Sequence, residues 1–104
     1  MPYRYSAHFL THVSEYIAGL DDATQGKIAA NLEVMRTGDL ITPHTKQLQG
    51  HLHELIIGNH RLIYFVIKSA VYFVCGFRKK TRKTPKREIE YALAIHRNLK
   101  HIEV

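Results

Sequence analysis

The chain has a single cysteine, three prolines and only nine acidic residues in 104. One thiol, Cys75, set inside an apolar run, excludes an internal disulfide framework and makes a cysteine-based zinc site implausible. The eight histidines do not repair that lack. Only His51 and His53 lie close in sequence, and neither carboxylates nor cysteines complete a ligand set, so no metal or other cofactor is expected. No apolar stretch exceeds strand length, and Met1-Pro2-Tyr3-Arg4 lacks the apolar core of a signal peptide. These absences predict a cytoplasmic protein without a membrane partner.

What is present suits one domain spanning 1–104, because 45% hydrophobic and 23% charged residues match a globular chain of a size that builds one core. No internal repeat or low-complexity linker divides it. The net charge is +6, and its placement matters more than its size. Residues 78 to 87 hold seven bases and no acid, so subtracting +7 from the total leaves −1 over the other 94 residues. A concentrated patch is either the footprint of a polyanion partner or a solvated charge run.

Hydrophobic spacing sets the elements. Tyr3 to Tyr5 reads as a short edge strand. Phe9, Val13, Ile17 and Leu20 fall on one helical face, and Asp22 with Gln25 resembles a capping box opening a second helix through Ile28, Leu32 and Met35. Gly38 closes that helix, and the short connection predicts an antiparallel helical hairpin. Pro43, His44 and the nearby threonines read as loop. Leu52 to Ile57, Arg61 to Ile67 and Val71 to Phe77 are rich in Ile, Val, Tyr and Phe and read as strands. Thr84-Pro85 then opens a helix striped by Ala92, Ile95, Leu99 and Ile102. The expected class is α+β, in the order (β)ααβββα: a helical hairpin packed on a small antiparallel sheet, with a C-terminal helix.

Register turns this order into a site. With Gly58-Asn59 as a two-residue hairpin loop, Ile57 faces His60, Ile56 faces Arg61 and Glu54 faces Ile63. Alternation then puts Glu54, Ile56, Arg61 and Ile63 on one face. The next hairpin sets Arg61 beside Gly76 or Phe77, at the end of the sheet where the basic tract begins. Two readings of Arg61 stand open: a phosphate ligand, or the partner of Glu54 in a diagonal salt bridge. Tyr64 reads as core, and Tyr91 as a core or rim aromatic.

Three segments carry a resemblance: Leu48-x-Gly50-x-Leu52-x-Glu54-Leu55, Arg61-Leu62-Ile63-Tyr64-Phe65, and Gly76-Phe77-x-Lys79-Lys80-Thr81-x-Lys83-Thr84-Pro85-x-x-Glu88-Ile89-x-x-Ala92. Over residues 45 to 95 the chain resembles the phage-derived, HigB-like branch of the RelE/ParE toxin superfamily. The resemblance implies a RelE-like fold and a type II toxin neutralised by a cognate antitoxin, often a helix-turn-helix protein. Many members of that superfamily cut mRNA on the ribosome without a metal, using the RNA 2′-hydroxyl as nucleophile; others inhibit gyrase and cut nothing. By position, Arg61 matches the arginine opening the middle-strand motif, while Lys79, Lys80 and Lys83 match the basic triad. Arg61, Lys79 and Lys80 are thereby the expected catalytic residues, with Arg78, Arg82, Lys83 and His53 as RNA contacts. The chain departs from the family at Ile56, where an arginine is usual, which removes one phosphate fork from the expected site unless His53 or His60 compensates. Three functions follow: a ribosome-dependent endoribonuclease, a non-catalytic inhibitor of a protein such as gyrase, or a decayed nucleic-acid-binding module.

Overall fold

The computed structural model describes residues 3–103. Eight elements follow in order: β1 (Ser6–Phe9), α1 (Thr11–Ala18), α2 (Asp22–Arg36), β2 (Thr45–Gln47), β3 (His53–Ile57), β4 (His60–Ile67), β5 (Ala70–Arg78) and α3 (Lys86–Glu103). The α+β class and the helical hairpin agree with the sequence. The strands form one sheet in the order β1-β5-β4-β3-β2, so β4 is central, as its nearly unbroken apolar run requires.

Four details depart from expectation. The first strand is Ser6–Phe9 rather than Tyr3 to Tyr5, and it pairs parallel with β5, which makes the sheet mixed. Phe9 belongs to that strand, stacked on Phe73 at 4.9 Å, so the first helix starts after it. Thr45–Gln47, read as loop, pairs antiparallel with β3 as an edge strand whose three polar residues carry no apolar alternation. The cap of α2 is Asp21, whose carboxylate accepts from the Thr24 amide at 2.8 Å, while Gln25 reaches back to the Leu20 carbonyl.

The meander has the expected register, with Ile56 opposite Arg61, Ile57 opposite His60 and Glu54 opposite Ile63. Gly58 takes φ of 57° in the two-residue turn, a conformation glycine adopts without strain. Between β4 and β5 the pairing slips: Tyr64 faces Phe73 but Ile63 faces Cys75, leaving Val74 as the extra residue of a bulge. Beyond it Arg61 faces Phe77, Leu62 faces Gly76 and His60 faces Arg78.

Helices cover both faces. Leu55, Ile57, Leu62, Tyr64, Val71 and Phe73 pack with Val13, Ile28 and Met35 under the hairpin of α1 and α2. On the other face Ile63, Phe65, Val74 and Cys75 pack with Ala92 of α3. Among the described residues no helix is long and apolar enough to cross a membrane.

Candidate nucleic-acid interface

The site begins with a buried carboxylate. Glu54, on the α3 face of β3, is fully buried. Arg61 Nε lies 3.5 Å from Glu54 Oε1 and Lys79 Nζ lies 3.9 Å from the same oxygen. The Thr84 hydroxyl donates to Oε2. An isolated buried carboxylate is costly, so two cations and a hydroxyl around it are a coherent solution. Arg61 also donates through Nη1 to the carbonyls of Gly58 at 2.7 Å and His60 at 3.0 Å. The salt-bridge reading of Arg61 is therefore realised. Both ends of the loop between β5 and α3 are tied down, Lys79 and Thr84 by Glu54, and Lys79 again by its amide, which donates to the Asn59 carbonyl at 2.7 Å.

Beside this anchor runs a groove. β1 stops opposite Phe73, so the last residues of β5 have α1 and the start of α3 as neighbours on that edge. The resulting hollow, of about 490 Å³, is lined by Tyr16, Gly76, Phe77, Arg78, Lys80, Thr81, Pro85, Arg87 and Glu88. Three cations against one carboxylate, with two aromatic rings, suit a phosphate backbone and a base. A smaller hollow of about 390 Å³ adjoins it through Arg87 and Glu88 and adds His12 and Tyr91. His12 is fixed there by a 2.9 Å bond between Nε2 and the Val74 carbonyl, with its ring edge-on to Tyr91.

Tyr16 lies over Gly76 so closely that a β-carbon at Gly76 would sit 3.0 Å from Tyr16 Cδ2. Its hydroxyl is 2.6 Å from His60 Nδ1. Burial pushes the Tyr16 hydroxyl above its usual pKa, against the opposing pull of the Arg78 charge.

The expected site residues divide among these places. Arg61 and Lys79 converge on Glu54; Arg78 and Lys80 line the groove; Arg82 and Lys83 are exposed in the loop, where the Thr81 hydroxyl donates to the Lys83 carbonyl at 2.9 Å. His53 does not join them. It projects to the face opposite Arg61 and stacks on Tyr64 at 5.4 Å, and burial first, then the His51 charge, lower its pKa. Tyr16 and Arg87 escaped the sequence reading. Tyr16 falls between Val13 and Leu20 of the first helix without a motif of its own, and Arg87 is the last base of the tract. Among the described residues no three metal-ligating side chains cluster.

This architecture is that of RelE-type toxins. A chain of the archaeal RelE–RelB complex from Pyrococcus horikoshii OT3 superposes with a TM-score of 0.61 at 14% identity, covering 77% of this chain and 99% of that one. The isolated E. coli RelE toxin gives 0.56 at 16% identity, covering 88% and 98%. A chain of the YoeB–YefM complex from Staphylococcus aureus gives 0.58 at 20% identity, covering 75% and 99%. At such identities the likeness is one of fold. No curated sequence matches the chain. A family model described as "Phage derived protein Gp49-like (DUF891)" matches residues 15–97, and the protein belongs to that Gp49-like family.

Proposed function

We propose that the protein is the toxin of a type II toxin–antitoxin system, a cytoplasmic, ribosome-dependent endoribonuclease that cuts mRNA and so inhibits translation. The observation that carries this reading is the groove itself: Arg78, Lys80 and Arg87 converge beside Tyr16 and Phe77 at one end of the sheet. Cleavage by the RNA 2′-hydroxyl needs its proton removed, its phosphorane stabilised and its leaving oxygen protonated, all of which cations and hydroxyls can supply without a metal. Arg78 and Arg87 would hold the scissile phosphate by guanidinium forks, with Lys80 beside the leaving oxygen. Arg61 and Lys79 would act from behind, holding the loop through Glu54. Arg82 and Lys83, exposed further along the loop, would grip flanking phosphates. A cognate antitoxin, of the helix-turn-helix type, would cover the groove.

A second reading has support at Ile56. That residue faces Arg61 across the strand pair, and Arg61 is turned to Glu54, so no arginine pair stands on this end of the α3 face. A non-catalytic toxin bound to a protein such as gyrase would need none. Inducible expression with mapping of RNA 5′ ends separates the two. The nuclease reading expects growth arrest with new 5′ ends inside translated messages; arrest without them leaves the protein-target reading, and no arrest leaves a decayed binding module.

A further inference from the structure

Residues from three separate elements come together at this end of the sheet. Tyr16 of α1 lines the groove, His60 opens β4, and Arg78 closes β5 directly opposite His60. The 2.6 Å bond between Tyr16 Oη and His60 Nδ1 is among the shortest side-chain contacts of the molecule. Such an approach between a phenol and an imidazole, at the edge of a cationic groove, is the geometry of a proton relay. A packing role alone would explain the Tyr16 ring on Gly76. It does not explain why the hydroxyl is aimed at an imidazole nitrogen and flanked by a guanidinium.

Resting on the nuclease reading above, we infer that Tyr16 and His60 form the general base of RNA cleavage, with Tyr16 as the group touching the RNA. In the relay the Tyr16 O–H donates to Nδ1, which requires the tautomer of His60 that carries its ring hydrogen on Nε2. When the 2′-hydroxyl attacks, its proton passes to Tyr16 Oη as the Tyr16 proton passes to His60 Nδ1. The 2′-oxygen–phosphorus bond forms and the bond from phosphorus to the 5′-oxygen breaks. The Lys80 ammonium protonates the leaving oxygen, giving a 2′,3′-cyclic phosphate and a 5′-hydroxyl. Imidazolium and amine then exchange protons with water. Arg78 stabilises the negative charge that develops on Tyr16 Oη during transfer, as its lowering pull on the hydroxyl indicates. The charged groups facing His60 are Arg78 on β5 and Asp21 at the start of α2.

The test uses the full chain with ribosomes programmed with an mRNA, read as single-turnover cleavage at saturating toxin across pH. Wild type should cleave with a rate that rises with pH, as base catalysis requires. Tyr16→Phe keeps the ring on Gly76 and should slow cleavage on the order of 100-fold with ribosome affinity unchanged. His60→Gln should slow it similarly and flatten that rise. Should His60→Gln fail to fold, Tyr16→Phe decides alone. Cleavage by both variants within threefold of wild type, with the same pH profile, overturns the relay while leaving the nuclease reading intact. No cleavage by wild type removes both.

Discussion

Glu54 and Arg61 sit diagonally across the β3–β4 pair, with Arg61 Nε 3.5 Å from the carboxylate of a fully buried Glu54. Neither residue is free to change alone. The carboxylate needs the cation because burial without it is costly, and the cation reaches the loop through the same carboxylate, which Lys79 and Thr84 also contact.

Arg61→Ala is therefore a stability variant before it is an activity variant. Removing one partner of a buried pair costs roughly 3–5 kcal/mol. The expected outcome is a clear fall in the denaturant midpoint, matched by Glu54→Ala. The double variant Glu54→Ala, Arg61→Ala should lose less than the sum of the singles. Additive losses would show that the two side chains do not interact.

The exposed part of the tract should behave differently. Among the described residues Arg82 and Lys83 have no ion-pair partner to lose, so neutralising both should leave the denaturant midpoint unchanged while weakening RNA or ribosome binding. Each lost phosphate contact should flatten the log–log salt dependence of binding by about one unit. The measurement is affinity across a salt series, and a slope unchanged in the double variant would place these two side chains away from RNA.

Cys75 should be chemically silent in the folded protein. Burial first, then the Glu88 carboxylate and its hydrogen bond, push its thiol to about 12. A thiolate is the reactive species, so a disulfide reagent at pH 8 should label Cys75 only as the protein opens. Rapid labelling without denaturant would mean that α3 leaves the sheet on its own.

Stability should fall as pH drops below the ordinary histidine range. Burial lowers the pKa of His53 and His96 in the folded state, and the His51 charge lowers both further; Lys100 adds to the effect at His96. The unfolded chain therefore binds protons first as pH falls through 6.5, the ordinary value, and the native state loses stability from there down to the folded-state values. Above 6.5 these groups contribute no pH dependence. Denaturation midpoints at pH 7.5 and 5.5, compared for wild type and His96→Gln, check this; the variant should lose part of the slope.

Much of the sheet was legible because its signals are local. A Gly58-Asn59 turn between two β-branched runs sets the β3–β4 register through two-residue geometry, and Ile56 facing Arg61 follows without tertiary information. The edge strand Thr45–Gln47 was not legible, since three polar residues carry no period of two and pair only because β3 offers a free edge. His53 lies on the face of β3 opposite Glu54, and alternation along the strand already assigns it there.

By itself the sequence determined the α+β class, that the excess charge lies in residues 78 to 87, and that Arg61 stands near that tract. Only the tertiary structure decided what the charges face. Continued unbroken from the Lys68-Ser69 turn, the β4–β5 ladder would set Arg61 against Gly76; the bulge at Val74 moves it one place, to Phe77. That single step puts Gly76 under Tyr16 and Arg78 opposite His60, and so assembles the groove wall. A bulge is chosen by how both faces of a sheet pack at once, with Val74 and Cys75 against α3 and Phe73 under the helical hairpin. No local propensity encodes such a choice, because the atoms that reward it come from helices far away in the chain.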